Sequence, residues 1–271
     1  LRRAQCPLST AHCAMSCGRI TVSVMLDTTI RKEDDVSQSC RYPILAAVPD
    51  METASKSGYS YSYDREKKKA ALQAGRKPAL IGGEINFAAA EAYKLLRTKL
   101  QFAFADGNDS HVIGVSSSVS GEGKSLTAIN LAFSLSQLGK KVILVDCDMR
   151  RPTVAEKLNI QKKPGMSNFL TGQNTMDELL QYCNIAGDER AFYVIAAGPN
   201  PPNPVELLSS ERMSRMLMGL RKLFDYVILD LPPVAEVSDA LAISKETDGM
   251  LLVVRQDHSN KNALKDTVRQ F

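Results

Sequence analysis

Tryptophan is absent from this sequence, histidine occurs only three times in 271 residues, and no apolar run is long. Since a membrane-spanning helix needs about 20 consecutive apolar residues, we expect the chain as given to be soluble and without a spanning segment. The order of charged, apolar and small residues that marks a signal peptide is missing as well. Hydrophobic residues make up 44% and charged residues 24%, which excludes wholesale disorder and collagen-like repeats as descriptions of the whole chain.

A large excess of one charge is also missing. The chain has 34 basic and 30 acidic side chains, and the resulting net charge of +4 is too small to indicate nucleic-acid binding by itself. The basic residues are scattered and form no basic face interleaved with aromatics, so we predict no nucleic-acid partner.

The six cysteines do not form the pattern of a disulfide framework, which favours a reducing compartment. Four soft metal ligands lie near the start, but they lack the paired Cys-x-x-Cys spacing of a zinc site. We therefore interpret this region as a loose leader. The four residues are Cys6, His12, Cys13 and Cys17.

Composition divides the chain into four stretches. They are an unstructured or abnormal leader (1–25), a short ordered piece (26–50), a linker rich in Ser, Lys, Gly and Ala (51–83), and a large domain (84–271). Within the second stretch, an acidic run from Glu33 predicts a helix start, and residues 42–49 predict a short strand that ends at a proline.

The large domain is predicted to be an α/β fold with a doubly wound, mostly parallel sheet. A helix begins at Ala88, where apolar residues recur every three or four positions. Beyond it, strands that are apolar almost throughout alternate with helices, as in a parallel sheet covered on both faces. The predicted strands are 112–116, 141–146, 192–196, 226–230 and 249–254, and the predicted helices are 124–138, 152–158, 175–183, 205–223 and 238–246.

A phosphate-binding loop is predicted at Ser118–Ser125, between a strand and a helix. The loop matches the P-loop pattern except that a serine stands at the first glycine position. Gly121 and Gly123 permit the backbone to approach a polyphosphate, and the following helix offers its positive N-terminal end. Lys124 would reach the outer phosphates, and the Ser125 hydroxyl would bind magnesium. The predicted nucleotide-binding residues are Gly121, Glu122, Gly123, Lys124, Ser125 and Leu126.

Carboxylates follow two further strands. Asp146 and Asp148 end one strand and Asp230 ends another, and the carboxyl ends of parallel strands meet at one edge of a sheet. Such carboxylates could hold magnesium and orient a nucleophile in phosphoryl transfer. Arg150 and Arg151 could stabilise phosphate charge, contact a neighbouring subunit or form a structural salt bridge.

These motifs carry a family resemblance. The runs 121–125, 144–152 and 229–233 resemble the Walker A, Walker A′ and Walker B motifs of the bacterial tyrosine kinases (BY-kinases), cytoplasmic autokinases that accompany capsular and exopolysaccharide export. The similarity covers about 84–271. Upstream, residues 26–50 resemble the end of the Wzz-like chain-length-determinant module that precedes such kinases when both are fused.

The resemblance implies a mechanism and a site. ATP with Mg²⁺ would be the cofactor, Lys124 would bind the phosphates, and Asp146 would orient the tyrosine hydroxyl with help from Asp148. The metal ligands would be Ser125, Asp146 and Asp230.

The resemblance also implies partners. Glu91, Lys94 and Arg97 resemble the family's Glu-x-x-Arg-x-x-Arg oligomer motif, with a lysine replacing the first arginine. The expected partners are other copies of the chain, phosphorylated between subunits, and a membrane-embedded Wzz-like activator, fused or separate. The expected location is the cytoplasmic face of the bacterial plasma membrane.

The chain departs from the family at its end. The family's C-terminal tyrosine cluster, final helix and final strand are missing before Phe271, so we expect a truncated domain. Tyr59, Tyr61 and Tyr63 alternate in the linker and are candidate phosphoacceptors, although they are also compatible with an ordinary polar linker.

Two other functions remain open. The first is an ATPase switch of the ParA/MinD type, whose signature lysine would lie at the position of Val119. The second is a catalytically inactive nucleotide-binding regulator of polysaccharide assembly.

Overall fold

The computed structural model describes residues 28–49, 87–105, 108–185 and 191–271. The helices are α1 (Glu33–Ser39), α2 (Phe87–Ala103), α3 (Lys124–Ser136), α4 (Val154–Leu158), α5 (Met166–Leu170), α6 (Pro204–Leu208), α7 (Glu211–Leu223), α8 (Asp239–Ser244) and α9 (Lys261–Arg269). The strands are β1 (His111–Ser117), β2 (Val142–Asp146), β3 (Gln181–Asn184), β4 (Ala191–Ile195), β5 (Tyr226–Asp230) and β6 (Gly249–Val253).

The six strands form one sheet in the order β3-β4-β2-β5-β1-β6. Every pairing is parallel except that of β3 with β4. All residues of β1, β2 and β5 are buried, which explains why their sequences are apolar almost throughout. The predicted doubly wound, mostly parallel sheet is confirmed. In the register of β2 and β5, Asp146 lies directly opposite Asp230, so the two carboxylates meet at one edge of the sheet.

Helices cover both faces of the sheet. On one face, α2 and α3 bury Tyr93 and Phe133 against a cluster that includes Leu144 of β2. On the other face, α5 to α8 pack against a second cluster, which includes Leu217 of α7 and Leu229 of β5. Among the residues placed in the structure, no helix is long and apolar enough to cross a membrane.

Three predicted elements differ in the structure. Residues 42–49 form no strand, and 175–183 form turns followed by β3 instead of a helix. The apolar residues of that stretch, such as Leu179, pack from a loop against the second core cluster, so they do not form one face of a helix. The helix predicted over 205–223 is divided, because the Ser210 side chain accepts the Met213 N–H and caps a new helix there. Helix α9 was missed.

Residues 28–35 pack against the C-terminal part of the chain. The Ile30 N–H donates to the Ser259 carbonyl at 2.8 Å, and the Lys261 N–H donates to the Thr28 carbonyl at 2.7 Å. The Lys261 ammonium also contacts the Asp35 carboxylate at 2.7 Å. The short piece predicted upstream of the linker is therefore packed on the domain that follows the linker.

The Asp35–Lys261 contact sets a pH dependence. Its hydrogen bond to Lys261 and the Arg31 backbone N–H lower the pKa of Asp35 from 3.8 to about 2. The pKa of Asp35 is lower in the folded protein than in the unfolded chain. The stabilisation that the Asp35–Lys261 contact contributes is therefore present above the ordinary aspartate pKa and is lost as the pH falls through about 2. A carboxyl NMR titration should show Asp35 ionising near pH 2, and Lys261→Met should raise that value. An Asp35 pKa near 4 in the unmodified protein would contradict the contact.

Candidate nucleotide and phosphoryl-transfer site

The phosphate-binding loop connects β1 to α3. Gly121 and Gly123 have φ angles of +86° and +99°, which side-chain-bearing residues adopt only with strain. A Cβ on Gly123 would meet no atom within 4 Å, so backbone conformation and not space requires glycine there. Helix α3 begins at Lys124 immediately after Gly123, and its first N–H groups are available to an anion.

A segment after β6, residues 255–259, holds the outer side of this loop; we call it the brace. The Arg255 guanidinium donates to the Gly121 carbonyl at 3.1 Å, and His258 Nε2 lies 3.0 Å from the Ser120 carbonyl. In a trans peptide, the carbonyl and the next N–H point in opposite directions. The brace therefore turns the N–H groups of Gly121 and Glu122 away from itself, toward the inside of the loop. Sequence reasoning missed the brace, whose only signal was its position after a strand.

The Glu122 side chain belongs to the same support. It is 4% exposed, accepts a hydrogen bond from the Ser259 hydroxyl, and accepts the Val119 N–H at 3.0 Å. Burial raises the pKa of Glu122, and the Ser259 hydrogen bond opposes that rise. Glu122 was predicted to bind nucleotide, and the structure directs its side chain to Ser259, leaving its backbone N–H for that role.

Lys124 lies among three buried carboxylates. Its ammonium is 2.6 Å from Asp148 and 3.6 Å from Asp230. Burial disfavours the charge on Lys124, but Asp230 and Asp148 outweigh burial and raise its pKa. The structure thus brings together Lys124, Asp146, Asp148 and Asp230, as the sequence predicted.

Asp146 is fully buried and its orientation is fixed. Its two carboxylate oxygens accept the N–H groups of Asp148 at 3.1 Å and Val154 at 3.3 Å. Burial, followed by the negative charge of Asp230, raises the pKa of Asp146 well above its usual range. A carboxylate with a raised pKa is a better proton acceptor than an exposed aspartate.

Asp230 has the properties of a metal ligand. It is 0% exposed, and neither carboxylate oxygen accepts a hydrogen bond of ordinary length within the described ranges, although the Ser125 hydroxyl and the Lys124 ammonium lie close enough to lower its pKa. Burial raises the pKa of Asp230, while Lys124 opposes that rise. The buried Ser125 lies on the first turn of α3. Hydroxyl and carboxylate oxygens suit Mg²⁺, which keeps water and phosphate oxygens as its other ligands. Among the described residues, no group of three or more His, Cys, Asp or Glu side chains is placed to hold a metal ion.

Arg150 forms a structural salt bridge. Its guanidinium makes a bidentate contact with the fully buried Asp239. The Nε–Oδ2 and Nη2–Oδ1 distances are both 3.0 Å. This favours the third of the three predicted roles for Arg150. The backbone N–H of Arg151 donates to Asp148 Oδ1 at 3.0 Å and helps to position that carboxylate.

Of the three residues resembling an oligomer motif, two are exposed and one is half-buried. Glu91 and Lys94 form an exposed ion pair at 2.7 Å on α2. The Arg97 guanidinium instead donates to the Ser134 carbonyl of α3 at 2.7 Å. The other predicted sites, Tyr59, Tyr61 and Tyr63 and the four soft ligands of the leader, lie outside the described residues.

Comparisons with known proteins identify the family of this chain. The profile of a family described as an AAA domain matches residues 110–269. The tyrosine-protein kinase YwqD of Bacillus subtilis is 37% identical over 171 residues, which are 63% of this chain and 70% of that protein. The chain belongs to the bacterial tyrosine kinases.

Other members of the family differ in length. CpsD of Streptococcus agalactiae serotype III is 30% identical over 67% of this chain and 75% of its own length. The tyrosine-protein kinase ptk of Acinetobacter johnsonii is 32% identical over 68% of this chain but only 24% of its own length.

Solved kinase domains share the fold. The BceF tyrosine kinase domain superposes with a TM-score of 0.72 at 28% identity, covering 89% of this chain and 93% of that domain. The kinase domain of Escherichia coli ETK superposes with a TM-score of 0.74 at 23% identity, covering 89% of both chains.

Proposed function

We propose that this protein transfers the terminal phosphoryl group of ATP to tyrosine, and that it does so in capsular or exopolysaccharide synthesis and export. The observation that carries the proposal is the placement of Lys124 among three buried carboxylates at the end of a phosphate-binding loop. Family membership supports tyrosine as the acceptor, and relatives with names such as CpsD support the biological setting.

In this proposal each side chain has a distinct role. Lys124 leaves its contact with Asp148 to bind the outer phosphates, and the loop N–H groups turned inward by the brace bind the phosphate chain. Ser125 and Asp230 would hold Mg²⁺, with Asp146 as a further ligand. Bound Mg²⁺ supplies positive charge that neutralises the transferred group.

The acceptor hydroxyl needs orientation more than deprotonation. A tyrosine phenol has a pKa near 10, far above that of an aspartate, and phosphoryl transfer demands little activation of the nucleophile. Asp146, held by two backbone N–H groups, would fix the hydroxyl and accept its proton as the oxygen–phosphorus bond forms. Asp148, released from Lys124, would assist at the metal.

We also propose the partners that the family resemblance implies. They are other copies of the chain, which would be phosphorylated between subunits, and a membrane-embedded Wzz-like activator at the cytoplasmic face. The docking of Ile30 onto the brace supports a link between the upstream stretch and the nucleotide loop.

The decisive experiment is incubation of the purified chain with ATP and Mg²⁺, followed by mass spectrometry for phosphotyrosine. We expect phosphate on tyrosine in the unmodified protein and none in an Asp146→Asn variant. Phosphate release without phosphotyrosine would instead indicate an ATPase switch. Nucleotide binding with neither reaction, even with the activator's cytoplasmic tail added, would indicate an inactive regulator.

A further inference from the structure

A cavity of about 490 Å³ opens along α7. None of its lining residues belongs to the nucleotide and phosphoryl-transfer site. One wall is apolar and rich in sulfur, with Met176 and Met216 beside Phe169. Leu223 contributes to the rim and is 60% exposed. Methionine side chains adapt to irregular shapes and make favourable contacts with aromatic rings, so this wall suits a flat aromatic group.

Helix α7 also places an arginine at this cavity. The Arg212 guanidinium lies 4.8 Å from the centre of the Phe169 ring. Its buried Nε finds no hydrogen-bond partner, and no carboxylate in the described part of the chain pairs with it. Arg215 also lines the cavity and has only a loose, exposed contact of 3.4 Å with Glu211. An arginine held in place on an aromatic ring, with no paired carboxylate among the described residues, can bind a phosphate or carboxylate through its terminal N–H groups.

A glycine inside α7 also lines the cavity. Gly219 lines the cavity in the interior of a 13-residue helix, where glycine lowers helix stability relative to alanine. A Cβ at Gly219 would meet nothing within 4 Å, so no neighbouring group requires glycine there.

We propose that this cavity binds phosphotyrosine from the protein's own Tyr59–Tyr63 stretch, a proposal that rests on the proposed kinase function. Phosphotyrosine combines an aromatic ring, which the methionine wall suits, with a dianionic phosphate, which the two arginines suit. Tyr61 lies 12 residues after Pro49, the last described residue before it, so up to about 40 Å of chain joins the two.

The test uses synthetic fluorescent peptides with the sequence of residues 56–65, so it requires no activity from this chain. Fluorescence anisotropy without ATP should show binding of the peptide phosphorylated at Tyr61, and at least about tenfold weaker binding of the unphosphorylated peptide. A phosphopeptide with the same residues in scrambled order should also bind more weakly.

Two variants locate the site. Arg212→Gln removes the charge, and Gly219→Leu fills the cavity while favouring the helix. Each should weaken phosphopeptide binding about tenfold or more. Lys222→Gln is the matched control, since it removes an exposed charge from the same helix outside the cavity and should bind normally.

Equal binding by Arg212→Gln or Gly219→Leu, or equal binding of the unphosphorylated peptide, would overturn the proposal. Equal binding of the scrambled phosphopeptide would overturn the assignment to this stretch. Phosphotyrosine formation without phosphopeptide binding would refute only the cavity proposal, whereas phosphopeptide binding without any kinase activity would refute only the proposed function.

Discussion

Replacing Lys124 by methionine is expected to reduce tyrosine phosphorylation roughly 1,000-fold or more. Lys124 is the cation that contacts both Asp148 and Asp230, and in the reaction it would stabilise the outer phosphates. Methionine has a similar length but no charge, so it preserves packing while removing this electrostatic contribution.

Without that cation, the buried carboxylates repel one another in the nucleotide-free protein. The pKa values of Asp146 and Asp230 should rise further, because the positive charge that lowers them is gone.

The measurement is the initial rate of phosphotyrosine formation at saturating ATP, together with a thermal unfolding curve. Lys265→Met, at an exposed position on α9, is a suitable control and should retain the full rate. If Lys124→Met kept a tenth or more of the rate while remaining folded, the role proposed for this loop would be refuted.

Asp230→Asn is expected to separate activity from stability. Activity should fall about 100-fold or more, because a carboxylate ligand of the metal is lost. The midpoint of thermal unfolding should stay the same or rise, since the substitution removes one of three neighbouring buried negative charges while Asp148 still pairs with Lys124 at 2.6 Å.

The pH dependence follows from the raised pKa of Asp230. A raised folded-state pKa means that stability is fully present below the ordinary aspartate pKa and is lost as the pH rises through the folded value. Unfolding curves at several pH values should therefore show a smaller loss for Asp230→Asn than for the unmodified protein. A marked drop in the unfolding midpoint of the variant at neutral pH would instead assign Asp230 a structural role.

The sequence predicted the centre of this fold well because two physical signals coincide there. Strands buried on both faces are apolar almost throughout, so β1, β2 and β5 are recognisable in the sequence as short apolar runs. Glycines next to a lysine at the start of a helix then locate the phosphate loop. Parallel strands align their ends, which is why Asp146 and Asp230 could be placed together before the structure was known.

Peripheral elements were predicted less well because distant contacts determine them. Strand β3 is four residues long and depends on pairing with β4, which local periodicity does not reveal. The position of the brace and the orientation of the Glu122 side chain toward Ser259 depend on contacts between residues more than 130 positions apart. No local pattern distinguishes a glutamate that faces a nucleotide from one that faces a serine beyond the final strand.

The pairing of Thr28–Ile30 with the brace makes the folded unit discontinuous along the polypeptide. Thirty-seven residues, 50–86, separate the last described residue of the upstream piece from Phe87. Covalent connection holds two such pieces at an effective concentration on the order of millimolar, so a few backbone hydrogen bonds and one exposed ion pair suffice within one chain. Cleavage between the two would make the same contact bimolecular, and at nanomolar protein the upstream piece would dissociate.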